Sequence, residues 1–304
     1  MYDETVAVVE NRPLTGGHFL LSVHSPRQAQ ATRPGQFAMV QLLGRSDVVL
    51  RRPMSIYDVK PAHAWERKVA PPGRAALAGL KPGATGTDHS LAIIQLLYKI
   101  VGRGTRLMAG LKPGDRVGLL APLGHGFLAE EYLGHAQEAE EVLHVAGGIG
   151  IAALLLPARE LARAGIRQRL FFGGRSKDDL VGLDEFKPLV KSMVLATENG
   201  ARGHGGYVTQ PLETFLERNR HKKYLMMVCG PWAMLEASVK LAHRFCHRCL
   251  LSMENRMGCG VGVCLGCCIR VQGTGHSAYQ RVCTEGPVFW SEKVIWEKEN
   301  IAKT

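Results

Sequence analysis

The first third of the chain sets apolar against polar residues in short runs broken by glycine and proline. Thr5-Val6-Ala7-Val8-Val9, Phe19-Leu20-Leu21-Ser22-Val23 and Phe37-Ala38-Met39-Val40-Gln41-Leu42 read as strands, divided by turns at Pro13, Gly16-Gly17 and Arg33-Pro34-Gly35. Strand character returns at Leu91 to Val101 and at Arg116-Val117-Gly118-Leu119-Leu120, closed by Pro122 and Gly124-His125-Gly126. Short strands at this spacing predict a small antiparallel barrel or sandwich. Gly102-Arg103-Gly104-Thr105 opens a short helix, with Thr105 as its predicted N-cap. Lys60 to Ser90 is rich in Pro, Gly and Ala and is expected to be an inserted loop.

The middle of the chain changes period. Glu141 to Ala146, Gln168 to Gly173, Ser192 to Ala196 and Tyr224 to Cys229 are near-continuous apolar runs of buried type. Helical segments separate them, including Ile151 to Ala164 and Pro231 to Phe245. Strands alternating with helices predict a doubly wound parallel sheet. Gly147-Gly148-Ile149-Gly150 lies between the first strand and its helix, where such folds seat a pyrophosphate. It is not a G-x-G-x-x-G pattern, so an ordinary close-packed helix start is the alternative. Glu198-Asn199-Gly200 is either a turn or a neighbour of that ligand.

Near the C-terminus Cys259, Cys264 and Cys267 are spaced C-x4-C-x2-C, and Cys283 follows after fifteen intervening residues. That is the plant-type spacing of a [2Fe–2S] cluster. Gly258, Gly260, Gly262 and Gly266 suit a loop whose backbone N–H groups approach the sulfurs closely. Structural zinc is the alternative, but its usual signature is two C-x2-4-C pairs and only Cys264 and Cys267 form one. His243, Cys246, His247 and Cys249 offer a second zinc-like group; with no matching pair, packing is the better reading. Cys268, next to a ligand but on a strand, is read as structural.

The 304 residues suffice for about two domains with proper cores. The net charge of +11 is scattered rather than gathered into an aromatic-interleaved patch, so nucleic acid is not expected. A cluster with its thiolates carries about −2 and a dinucleotide pyrophosphate about −2 more, so anionic cofactors or an acidic partner account for the excess. No apolar stretch has the roughly 18 residues of a membrane span. Met1-Tyr2-Asp3-Glu4 does not open a signal peptide, so a cytoplasmic protein is expected.

Several segments together resemble the ferredoxin-reductase superfamily. Arg52-Pro53-Met54-Ser55 is similar to its flavin-binding R-P-x-S box, and Leu97-Tyr98-Lys99 with Gly104-Thr105 to its second flavin stretch. Gly147, Gly148 and Gly150, with Cys229-Gly230-Pro231, are similar to its nicotinamide-dinucleotide elements. Within the superfamily, Glu254 to Cys259 and Arg281 to Phe289 most resemble the electron-transfer subunits of NAD-dependent dihydroorotate dehydrogenases. The resemblance implies an antiparallel barrel for FAD at 1–138, with the insertion at about 60–90, a nucleotide domain at 139–250 and a small cluster domain at 251–304. It also implies an FMN-containing catalytic subunit as partner, in a heterotetramer serving pyrimidine biosynthesis. Electrons from dihydroorotate would pass through the [2Fe–2S] cluster and FAD to NAD⁺, and no proton-abstracting catalytic residue is needed here. No ribose-reading residue stands out, which leaves NADP open.

Two other readings stay in play. One is the small subunit of an electron-bifurcating NADH-dependent ferredoxin:NADP oxidoreductase or a sulfide dehydrogenase. Such relatives usually replace one cluster cysteine with aspartate, whereas this chain has all four. The other is a non-catalytic iron–sulfur carrier, against which the flavin box and nucleotide-like segments weigh.

Overall fold

The computed structural model describes residues 1–61, 91–128 and 130–296, and from residue 62 onwards the predicted insertion lies outside them. Six strands, β1 (Tyr2–Pro13), β2 (His18–His24), β3 (Phe37–Leu42), β4 (Arg52–Pro61), β5 (Leu91–Lys99) and β6 (Arg116–Leu123), close into a barrel in the order β1-β2-β5-β4-β3-β6. Each described strand pair in the barrel is antiparallel. Closure removes the free edges that such short strands would otherwise expose. The interior is filled by Leu21, Val23, Met39, Ile56, Ile94 and Leu96, all essentially inaccessible to solvent.

The rest of the chain holds a seven-stranded sheet. Its strands are β7 (Glu141–Gly147), β8 (Gln168–Gly174), β9 (Met193–Thr197), β10 (His204–Gly205), β11 (Tyr224–Cys229), β12 (Arg248–Ser252) and, after the hairpin of β13 (Cys268–Arg270) and β14 (Tyr279–Arg281), β15 (Val288–Trp290). The order is β10-β9-β8-β7-β11-β12-β15. Pairing is parallel throughout except for β15, which runs antiparallel along β12. Every residue of β7 and β11 is buried, as expected of strands covered on both faces. The helix Leu155–Arg163 buries Leu155, Leu156, Ala158 and Leu161, and the helix Trp232–Arg244 buries Leu235, Val239, Leu241 and Ala242.

The chain divides into two compact units, Met1–Thr32 with Phe37–Pro122, and Arg33–Gln36 with Leu123–Thr304. The second holds both the parallel sheet and the cysteine segment. Two local expectations are corrected. The run expected as one helix from Ile151 to Ala164 is a 3-10 stretch, Gly148–Ala153, followed by the α-helix Leu155–Arg163. Gly148 at φ +51° and Gly150 pressed on the β11 backbone force the tighter turn. Thr105 is not an N-cap either. Gly102 holds that place, and the Thr105 hydroxyl, three residues on, folds back to accept the N–H groups of Val101 (3.0 Å) and Gly102 (3.2 Å).

Candidate functional site

The flavin-box residues lie at the start of β4, where Arg52, Pro53, Met54 and Ser55 pair in register with Val40, Met39, Ala38 and Phe37. Arg51 and Arg52 are neighbours of equal charge, but their surroundings differ. Arg51 forms a bidentate pair with Asp3, both contacts at 2.8 Å. Arg52 donates only to the Leu50 carbonyl and has no carboxylate partner among the described residues. Its guanidinium is partly buried, which lowers its pKa. It lies against the helix Arg103–Met108, so closely that a Cβ at Gly104 would come within 2.6 Å of the Arg52 Cζ. The N–H groups of the first helical turn have no intrahelical acceptor. An unpaired guanidinium beside free N–H donors is an anion cradle, and a flavin dinucleotide's pyrophosphate fits it.

The other flavin-stretch residues behave differently. Leu97 and Tyr98 are buried barrel residues. Tyr98 stacks on Phe19 with ring centroids 5.5 Å apart and donates its hydroxyl to Asn11 Oδ1 at 3.1 Å. Burial pushes its pKa up to about 12, with the Asn11 hydrogen bond opposing. Lys99, opposite His18 in the register, is half-buried. Ser55 is half-buried too, and its hydroxyl has no hydrogen-bond partner among the described residues.

In the second unit, β7 leads to β8 on one side, while β11 lies on the other, so the strand order reverses at β7. Ligands of doubly wound sheets bind beyond the C-terminal strand ends at such a reversal. Gly147 ends β7 there and Gly150 follows it, while Cys229, paired to Ala146, ends β11 and Gly230 and Pro231 follow it. The two segments are packed backbone to backbone. A Cβ at Gly150 would lie 2.7 Å from Gly230 N, and one at Gly230 would lie 2.9 Å from Gly147 N. Gly148, by contrast, faces open space at φ +51°. Close packing behind and bare backbone in front suit a dinucleotide phosphate. Cys229 is buried, and burial first, then the charge of Glu254, raises its thiol pKa against a hydrogen bond with Ser252. It is a neutral thiol. Glu198-Asn199-Gly200 forms a turn, in which the Gly200 N–H reaches the Thr197 carbonyl at 2.9 Å.

The four cluster cysteines come together in two pairs. Cys259 and Cys264 are neighbours on the loop, where Cys259 Sγ accepts the N–H groups of Val261 and Cys264, both at 3.4 Å. Burial raises the Cys259 pKa, but these donors outweigh it and hold the thiol near 6. Cys267 and Cys283 are joined by the hairpin: Cys268 is in register with Arg281, and the Val282 N–H donates to the Cys267 carbonyl at 3.1 Å. Burial, then contact with Cys267, pushes the Cys283 thiol up to about 11. Gly260 (φ +75°) and Gly262 (φ +80°) supply left-handed turns, and a Cβ at Gly258 would touch Cys264 Sγ at 3.4 Å.

Two thiols for each of two irons is the donor set of a [2Fe–2S] cluster. The second zinc-like group is not assembled: His247 and Cys249 are buried, while Cys246 is exposed at φ +56°. Two supports were not legible beforehand. Asn255 Nδ2 donates to the Cys268 carbonyl at 3.1 Å, and the His125 amide donates to the Gly286 carbonyl at 2.6 Å. Only their polar identity beside turn residues hinted at them. A separate polar cleft, lined by Arg167, Arg169, Lys191 and Tyr224 among others, sits at the opposite, N-terminal end of the strands.

A six-stranded barrel, a doubly wound sheet reversing at β7 and a paired four-cysteine loop define a ferredoxin-reductase-like oxidoreductase with an added iron–sulfur segment. Family models agree: residues 144–240 match the oxidoreductase NAD-binding domain, and 254–295 the iron–sulfur cluster binding domain of dihydroorotate dehydrogenase B. The chain is 32% identical to the dihydroorotate dehydrogenase B (NAD(+)) electron transfer subunit of Desulforamulus reducens, over 92% of this chain and 93% of that one. It is 32% identical to the same subunit of Bacillus caldolyticus, over 96% and 98%. The chain belongs to this family of electron transfer subunits. Among solved structures, an NADH-dependent reduced ferredoxin-NADP oxidoreductase studied for flavin-based electron bifurcation superposes with a TM-score of 0.73 at 26% identity, covering 98% of this chain and 93% of that one. A ferredoxin NADP⁺ reductase from Neisseria gonorrhoeae with bound FAD and NADP shares the fold, with a TM-score of 0.57 at 16% identity over 81% and 92%.

Proposed function

We propose that this chain takes electrons from a dihydroorotate-oxidising, FMN-containing partner subunit and delivers them to NAD⁺, in a cytoplasmic heterotetramer. The observation that carries the reading is the pairing of Cys259 with Cys264 and Cys267 with Cys283, in a chain that also has an unpaired arginine cradle and a glycine-lined nucleotide end. FAD, when bound, exchanges single electrons with an iron–sulfur centre and electron pairs with nicotinamide. The residues' work is to bind and orient. Arg52 and the N–H groups around Gly104 and Thr105 hold the flavin pyrophosphate, Ser55 offers a hydroxyl to the flavin, and the backbone around Lys99 flanks it. Gly147, Gly148 and Gly150 let the nicotinamide dinucleotide approach, with Cys229, Gly230 and Pro231 behind it. The assignment of 1–138 to FAD, 139–250 to NAD and 251–304 to the cluster follows the same logic, although β15 joins the last segment to the nucleotide sheet.

The chain purified with its partner tests this. It should carry FAD and about two irons per chain, and dihydroorotate should reduce NAD⁺ only when both subunits are present. A preparation without flavin would refute the proposal. The likeness to the bifurcating oxidoreductase, at 26% identity, fits the second reading less well than the 32% identity to electron transfer subunits fits the first. A marked preference for NADPH over NADH, with a larger multi-cluster flavoprotein as partner, would select the second reading instead.

A further inference from the structure

The fourth cluster cysteine is followed by a side-chain network that reaches back to the loop of the first three. Arg281 ends β14, two residues before Cys283. Its Nη1 donates to the Gly262 carbonyl at 3.1 Å, across to the loop that carries the other three cysteines. Its Nε and its own backbone N–H donate to the Glu285 carboxylate at 3.0 and 2.7 Å, and Nη2 makes a further contact there. Thr284 Oγ1 completes the carboxylate's shell at 3.0 Å. Gly262 is shaped to this clamp. It sits at φ +80°, and a Cβ there would come within 3.0 Å of both Arg281 Nη1 and Thr284 Cγ2. The Gly262 backbone N–H in turn lies against the Cys283 thiol, and the Arg281 charge is felt at Cys283 and Cys268.

We propose that the Arg281–Glu285 pair is a positioning and charge-setting element of the iron–sulfur centre: Arg281 locks Gly262, and so the cluster loop, onto the Cys283 segment, while the two opposite charges balance each other beside the cluster. The proposal rests on the reading of the four cysteines as cluster ligands. Its physical basis is that a reduced cluster carries one more negative charge than an oxidised one. A nearby cation therefore stabilises the reduced form and raises the potential, and a nearby anion lowers it. In the native pair the two effects largely offset. Removing either partner exposes the other.

The test is a redox titration of the purified holoprotein, followed by the electron paramagnetic resonance of the reduced cluster, with iron per chain measured alongside. Arg281→Gln leaves Glu285 uncompensated and should lower the midpoint potential. Glu285→Gln leaves Arg281 uncompensated and should raise it. Arg281→Lys keeps the charge but loses the planar fork that bridges Gly262 and Glu285. Its potential should stay close to the wild-type value while its resonance broadens and iron is lost faster. General damage to the loop would move both neutral variants the same way, and that result, or no shift in either, overturns the proposal. Should Arg281→Gln fail to assemble a cluster, Glu285→Gln alone decides: a raised potential supports the pair's role and an unchanged or lowered one refutes it. Iron missing from the wild-type protein would instead overturn the cluster reading, and this proposal with it.

Discussion

Replacing Gly104 with alanine separates folding from flavin binding. Gly104 lies in the first turn of the helix Arg103–Met108, in a conformation that alanine adopts without strain. Alanine is favoured over glycine in a helix by up to about 1 kcal/mol. The added methyl would nevertheless come within 2.6 Å of the Arg52 Cζ and 2.7 Å of its Nη2. That group is the far end of a flexible side chain, so the guanidinium swings away and the backbone stays. The apoprotein should therefore melt at or slightly above the wild-type temperature. Flavin binding should suffer, because Arg52 is displaced from the place where it would meet the pyrophosphate. Two charge-assisted hydrogen bonds at roughly 1.5 kcal/mol each make about 3 kcal/mol, or on the order of a hundredfold in Kd. Quenching of FAD fluorescence by apoprotein measures this directly, and Arg52→Ala should show a similar loss. If Gly104→Ala bound FAD as tightly as the native chain while Arg52→Ala did not, the cradle geometry would be wrong. Equal binding by both variants would remove Arg52 from the flavin site.

Cys264→Ser should abolish dihydroorotate-to-NAD⁺ electron transfer with the partner present, while NADH-to-dye reduction through FAD persists; equal loss of both in a folded, FAD-bearing protein contradicts the relay. Gly150→Ala places a Cβ 2.7 Å from Gly230 N and 2.5 Å from the Cys229 carbonyl carbon, where backbone cannot yield. It should cost roughly 1–3 kcal/mol or more in urea unfolding, and native stability would refute the close packing of the two segments. His144 predicts a pH effect. Burial pushes its pKa down to about 4, against the hydrogen bond with Gln168, from 6.5 in the unfolded chain. Below pH 6.5 the unfolded chain takes up a proton that the folded protein refuses, so this contribution is whole above that pH and is lost as pH falls towards 4. At pH 5 the loss is about 2 kcal/mol. His144→Gln should lose that much less stability than wild type between pH 7.5 and pH 5 in urea titrations, and identical losses would count against the neutral buried imidazole.

Legibility followed the length and periodicity of the signal. The four central strands of the parallel sheet stood out as short apolar-rich runs between helical segments, most clearly β7 and β11, which are buried throughout. Five of the six barrel strands stood out by their apolar runs and by the turns between them, whereas β4 (Arg52–Pro61), which carries the flavin-like box, showed no strand signal of its own. β12 and β15 did not stand out either. Val288-Phe289-Trp290 is too short to show a period, and it becomes a strand only because Leu250, Leu251 and Ser252 lie alongside it in the fold. Local rules place a hydroxyl at the helix boundary and so make Thr105 an N-cap, whereas in the fold it reaches back from the first turn to satisfy two N–H groups.

For the chemistry, the chain's own order determined which residue types are available and how far apart they stand. Four cysteines at plant-type spacing, glycines at the end of a buried strand and an arginine in a flavin-like box are properties of the sequence. Partnership was decided in three dimensions. Arg51 and Arg52 cannot be told apart by composition, yet Asp3, far away along the chain, neutralises one and leaves the other free for an anion. The spacing of the cysteines does not say which two share an iron. The hairpin register brings Cys267 and Cys283 together as one pair of thiols, because hydrogen bonds between separate strands act only once the chain has folded.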